Sequence, residues 1–243
     1  MKKRLMVCAM AASAALFAGE VVTSGNVYGI MRVSDTSSSN TVVAVPWVAV
    51  AGEGNVTLSN LVSTANLSEG DKLYLYDPSG TWFVYTRNAS GVWEGATTLD
   101  GNAVNPAVPA DSKTLDRGTG LIIQRGSTAT PIYLCGRYVE SVPSATSISA
   151  NATTLIANPT TRIVYITTTV GTVGDKISIP KNGGAMEEYT RKADGWYGWV
   201  TTTLGGKTSR KLTKLTDGVS IAPGRGAFYI CGDSGTSISW QQQ

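Results

Sequence analysis

Short runs of alternating apolar and polar residues, or of β-branched residues, carry most of the pattern in this chain. They include 42-VVAVPWVAV-50, 73-LYLY-76, 82-WFVY-85, 121-LII-123, 132-IYL-134, 163-IVYITTTV-170, 177-ISI-179 and 196-WYGWV-200. β-Branched and aromatic residues dominate these runs, and Gly, Asn, Asp, Ser and Pro break them at short intervals, as in 77-DPSG-80 and 181-KNGG-184. The apolar spacing of three and four that an amphipathic helix needs is not sustained beyond the first twenty residues. The pattern therefore predicts an all-β protein of hairpins joined by tight turns. A sandwich or a small barrel is the natural way to bury one face of such strands.

The runs recur in order. Gly70-Asp71-Lys72 and Tyr85-Thr86-Arg87 reappear as Gly174-Asp175-Lys176 and Tyr189-Thr190-Arg191. Farther on, 118-GTGLIIQRGSTATPIYL-134 lies over 224-GRGAFYICGDSGTSISW-240, and 41-TVVAVP-46 lies over 154-TLIANP-159. Two triplets at one spacing, with glycines in step, predict an internal duplication with a period of about 105 residues. The expected organisation is a signal peptide over 1–18, a linker over 19–26, a first β unit over 27–140 and a second over 141–243. The fold class is thus all-β, with two tandem related β-sandwich or small-barrel units after a signal peptide.

The leader reading rests on the basic residues Lys2, Lys3 and Arg4 followed by the apolar run Leu5 to Ala18. That run is shorter than the roughly 20 residues a membrane-spanning helix needs, so no transmembrane segment is expected in the mature chain. Export to the periplasm, the cell surface or the medium follows. Charge changes meaning once the leader is set aside. The full chain has 20 Lys and Arg against 17 Asp and Glu, and three of the basic residues lie in the leader, leaving the mature chain near neutrality. A near-neutral chain lacks the electrostatic footing for nucleic-acid binding. Removal of the leader also takes Cys8, leaving Cys135 and Cys231 as a possible disulfide in an oxidising compartment or as two buried thiols.

Enzyme-like letters occur at three places. In 231-CGDSGTS-237, Ser234 sits in the Gly-Asp-Ser-Gly setting of trypsin-like proteases, but the chain contains no histidine to take its proton. Thr128 faces Ser234 in the first copy, so Ser234 reads as a turn residue. The stretch 205-GGKTS-209 lacks the first glycine of a phosphate-binding loop and the helix that must follow it, with a basic loop expected after Lys207 instead. Carboxylates for glycoside hydrolysis exist in Asp71, Glu94, Asp175 and Asp194, although Asp71 and Asp175 fall in equivalent turns, where a structural role accounts for both. Lys72, Arg87, Lys176 and Arg191 are expected to lie along an exposed face, over apolar neighbours. No catalytic residue, cofactor or metal site is expected. Trp93, Trp196, Tyr197 and Trp199 are the candidates for stacking on a sugar.

The Gly-Asp turn, the tryptophan strand and the Pro-Gly-x-Gly segment occur here as Gly70-Asp71, Trp93 and Gly118-Thr119-Gly120, then as Gly174-Asp175, Trp196 and Pro223-Gly224-Arg225-Gly226. In this respect the chain resembles uncharacterised secreted tandem-repeat β-proteins of Gram-negative bacteria. That resemblance implies secretion and no known activity; the first copy departs from it with Arg117 at the proline position. The expected role is an exported, non-catalytic surface, matrix or assembly component. A carbohydrate-binding module using exposed Trp or Tyr is the first alternative, and a glycoside hydrolase with an Asp/Glu pair the second. Expected partners are a second copy of the chain or a cell-surface polysaccharide.

Overall fold

A computed structural model describes residues 28–34, 40–45, 56–61, 67–76, 81–104, 110, 112–115, 118–126, 132–137, 145–160, 162–167, 169–180 and 185–240. The expected leader and linker lie outside the described residues. Among the described residues the protein is predominantly β with almost no helix, and none of its sheets closes, so the small-barrel alternative is not formed. No helix among them is long and apolar enough to cross a membrane.

Residues 28–137 contribute β1 (Tyr28–Ser34), β2 (Asn40–Ala44), β3 (Val56–Thr57), a single helical turn α1 (Leu58–Leu61), β4 (Lys72–Tyr76), β5 (Trp82–Arg87), β6 (Trp93–Thr97), β7 (Thr114–Leu115), β8 (Gly120–Gln124) and β9 (Ile132–Arg137). The main sheet runs β2-β8-β4-β5-β6, with β1 paired to β9 and β3 to β7, all antiparallel. Residues 145–239 contribute β10 (Ala145–Ile148), β11 (Thr153–Ala157), β12 (Val164–Ile166), β13 (Lys176–Pro180), β14 (Met186–Lys192), β15 (Gly195–Leu204), β16 (Lys207–Lys214), β17 (Val219–Ile221), β18 (Gly226–Ile230) and β19 (Thr236–Ser239). Here the main sheet runs β11-β18-β13-β14-β15-β16, with β10 paired to β19 and β12 to β17. The two strand orders correspond until β16, which extends the second sheet.

Period-two alternation places the cores. In β4, Leu73 and Leu75 point inward and Tyr74 outward. They join Tyr85, Trp93, Leu121 and Ile123 of the same sheet and meet Val56, Leu115, Ile132 and Leu134 from the small paired strands. A second cluster gathers Ile156, Ile177, Trp196, Ala227 and Tyr229 from its sheet with Ile148, Ile166, Val219, Ile221 and Ile238 from the small strands. Each Gly-Asp-Lys turn is clasped to its Tyr-Thr-Arg strand by backbone. The Gly70 N–H donates to the Arg87 carbonyl and the Arg87 N–H to the Asp71 carbonyl, both at 2.9 Å. The same pair of bonds joins Gly174 to Arg191 and Arg191 to Asp175, at 2.9 and 2.8 Å.

The halves meet reciprocally around two glycines. A Cβ built on Gly120 would meet the side chain and carbonyl of Leu155, and one on Gly226 would meet Val42 and the Ile156 carbonyl. Across the same seam the Ala44 N–H donates to the Gly224 carbonyl at 3.0 Å, and Trp82 and Phe228 lie with ring centroids 6.3 Å apart. Only a residue without a side chain allows this approach. Gly226→Ala would set its Cβ 2.5 Å from Val42 Cγ1 and 2.7 Å from the Ile156 oxygen. It is expected to cost about 1–3 kcal/mol in chemical denaturation, the usual range for overpacking.

Candidate functional site

Of the four aromatic residues expected to stack on a sugar, two are core residues. Trp93 and Trp196 are 2% and 0% exposed, because the first position of β6 and the second of β15 face the inner side of their sheets. Arg87, expected on an open face, is also buried, with its guanidinium 5.7 Å from the Trp93 ring centroid. The Trp196 Nε1–H donates to the Thr167 carbonyl at 3.1 Å, and its ring meets Tyr229 edge-on. These contacts occupy the indole, and neither tryptophan is available to a ligand.

Tyr197 and Trp199 lie on the opposite face of β15. The Tyr197 hydroxyl donates to Asp194 Oδ2 at 3.0 Å, and the Lys192 ammonium sits 4.6 Å from its ring centroid. That hydrogen bond, more than burial, raises the phenol's pKa, while the Asp194 carboxyl is lowered chiefly by Lys214. Tyr197 is thus engaged by its own neighbours. Trp199 is 47% exposed, with the Arg210 guanidinium 5.0 Å from its ring centroid.

From Trp199 onward both strands of the β15–β16 hairpin leave the core. Every residue of β15 from Trp199 to Leu204 is exposed, as is all of β16 except the half-buried Leu212. The basic stretch after Lys207, expected as a loop, is a strand held to β15 in unbroken register from Tyr197↔Lys214 to Leu204↔Lys207. Gly205 and Gly206 close the hairpin at φ +57° and +76°. The type I′ loop, one of the two-residue turns whose twist matches its strands, needs both central residues left-handed, which explains the glycine pair in 205-GGKTS-209. In the first half the equivalent hairpin turns only a few residues earlier relative to its tryptophan, with the Thr98 N–H donating to the Asn102 carbonyl at 2.8 Å.

Each carboxylate considered for hydrolysis has local work. Asp71 is fully buried; its Oδ1 accepts the Gly126 N–H at 2.7 Å and its Oδ2 the Ser68 N–H at 2.9 Å. Arg125 Nε stands 3.2 Å from Oδ2 as an ion pair without hydrogen-bond alignment. Asp175 accepts the Gly232 and Thr172 N–H groups at 2.7 and 2.8 Å and the Tyr229 hydroxyl at 2.7 Å. Where Asp71 has Arg125, the aligned position near Asp175 is Cys231. Glu94 accepts from Asn88 Nδ2 at 2.7 Å, and Asp194 pairs with Lys214 at 3.2 Å. Among the described residues, no three His, Cys, Asp or Glu side chains are grouped to hold a metal ion.

Cys231 is a free, buried thiol that donates to the Ser234 carbonyl at 3.1 Å; the side chain of Cys135, its expected bridge partner, lies outside the described residues. Burial first, and then the Asp175 charge, push the thiol's pKa up. Ser234 itself lies in the bend between β18 and β19. A shallow cleft of about 550 Å³ at the seam is lined by Val42, Ile179, Glu187, Tyr189 and Arg225. Glu187 occupies the position of Phe83 in the first half, a change visible in the aligned sequence.

The Asp175 site has a defined acid response. Burial works to raise its pKa, but the hydrogen bonds from Gly232, Tyr229 and Thr172 outweigh it and hold the carboxyl below its usual range. A carboxylate with a depressed folded-state pKa stabilises above its unfolded value, and that contribution is lost as pH falls through the folded value. Burial, then Asp175, drive the Tyr229 phenol far upward, so it remains a donor throughout. Tyr229→Phe is expected to move the acid-unfolding midpoint, followed by near-UV circular dichroism, to higher pH.

Comparison of the chain with protein-family models, with curated proteins and with solved structures finds no match.

Proposed function

We propose that this is an exported, non-catalytic protein built from two tandem related β-sandwich modules, over 27–140 and 141–243, that serves as a surface, matrix or assembly component. The observation that carries the reading is the use made of the enzyme-like residues. Asp71 and Asp175 occupy matching positions, each accepting a backbone N–H from the glycine after β8 or β18. Ser234 lies in a bend, and Lys207 follows a hairpin turn. Support for the modular part comes from the corresponding strand orders, the two clusters of core residues and the reciprocal glycine seam. The leader and the resemblance to Gram-negative secreted repeat proteins support export.

Cell fractionation with mass spectrometry of the mature N-terminus tests this reading. The expected product lacks residues 1–18 and lies outside the cytoplasm; a full-length cytoplasmic chain would overturn it. A second reading, carbohydrate binding, is favoured by Trp199, an exposed indole on a projecting hairpin. It predicts retention on a polysaccharide that Trp199→Ala weakens.

A further inference from the structure

We infer that the β15–β16 arm is a docking site for an acidic polysaccharide, with Lys207, Arg210 and Lys211 binding its anionic groups and Trp199 packing on a sugar ring. The proposal rests on the carbohydrate reading above and names both the ligand class and the site. Between Gly195 and Lys214 the chain carries four cations, Lys207, Arg210, Lys211 and Lys214, and no carboxylate. Asp194, at the base of the arm, pairs with Lys214 alone among these four. The three cations farther out remain on an exposed ribbon whose sequence supplies no counter-charge.

Strand alternation and the register divide the arm into two faces. Lys207 and Lys211 share one with Val200 and Leu204, and Arg210 shares the other with Trp199 and Tyr197, so a polysaccharide following the free edge of β16 meets cations from both faces. Edge strands often carry charge to prevent sheet-to-sheet pairing. That need is met by charge of either sign and does not account for four cations without one acid. Nor does it account for Trp199, Val200 and Leu204 at 47%, 43% and 83% exposure on a ribbon that adds nothing to the core. A two-stranded ribbon is marginal alone, so this length of exposed hairpin is a burden the core does not require.

The export reading favours a glycan over nucleic acid, because an exported chain meets polysaccharide at the cell surface. At about 3.3 Å per residue, Lys207 and Lys211 stand roughly 13 Å apart along β16. A polysaccharide with a carboxylate on every ring can meet both, and the threonine hydroxyls between the cations can meet sugar hydroxyls.

The test measures binding of the purified mature protein to polygalacturonate, to neutral dextran and to duplex DNA across a salt series. Binding to polygalacturonate without retention on dextran is expected. The triple variant Lys207→Gln, Arg210→Gln, Lys211→Gln should weaken it at least tenfold, with a salt slope shallower by about two, as for three lost contacts to a flexible polyanion. Trp199→Ala should weaken it severalfold with the slope unchanged, and Lys176→Gln, an exposed cation off the arm, should leave it unaltered. All these sites are exposed, and near-UV circular dichroism of the buried Trp196 and Trp240 verifies folding. Equal binding to dextran overturns the acidic class while sparing the carbohydrate reading, whereas binding to neither polysaccharide removes both. Tighter binding to DNA, or wild-type affinity in the triple variant, overturns the proposal.

Discussion

Asp71→Ala is expected to lower stability by about 3–5 kcal/mol, the usual cost of removing one partner of a buried ion pair. Both side chains of the Asp71–Arg125 pair are fully buried. The aspartate also binds the turn at Ser68 and the start of the β8–β9 connection at Gly126, two segments far apart in sequence. Its loss leaves a buried guanidinium and two backbone N–H groups to be satisfied afresh. The double variant Asp71→Ala, Arg125→Met is expected to recover much of the loss, since an apolar replacement of the whole pair removes the buried charge. Urea unfolding of the three variants provides the measurement. A neutral Asp71→Ala would show that water reaches the pair and that the turn holds without it.

Trp196→Ala is expected to cost about 3–5 kcal/mol, the usual range for emptying a buried aromatic site. The indole is fully buried, donates to the Thr167 carbonyl and packs edge-on against Tyr229, which itself donates to Asp175. Its loss therefore loosens the second core and the Asp175 clasp together. Trp199→Ala, three residues along the same strand, is expected to stay within about 0.5 kcal/mol of wild type, as exposed substitutions usually do. Thermal denaturation of the two variants separates the core residue from the solvent-facing one. Equal losses would mean that the arm packs against the core after all.

How far the sequence reveals these roles varies from residue to residue. Leu73 and Leu75 alternate with Tyr74 over a run long enough to show its inner face, and β4 follows that reading. The run 163–170 is also rich in β-branched residues, yet among its described residues only Val164–Ile166 is a strand, because pairing with the three residues of β17 sets its length. Asp71 reads as a polar turn residue, and its burial becomes visible only when Arg125 and Gly126 arrive from 55 residues away. Residues 207–214 have no apolar alternation to mark a strand, and cross-strand pairing with β15 makes them one.

The order of apolar runs and turn glycines is sufficient to determine a β protein of hairpins, because side-chain direction in a strand depends only on the parity of position. The missing histidine is likewise a property of the chain alone, and it removes imidazole chemistry from Ser234 whatever the fold. Tertiary structure decides which tryptophan meets the core and which meets solvent, since Trp196 and Trp199 differ in parity and in distance from the end of the sheet's packed region. It also decides that Asp71 and Asp175 are internal fasteners. Burying a carboxylate is tolerable only where donors from distant segments converge on it, and no local stretch of sequence contains that convergence.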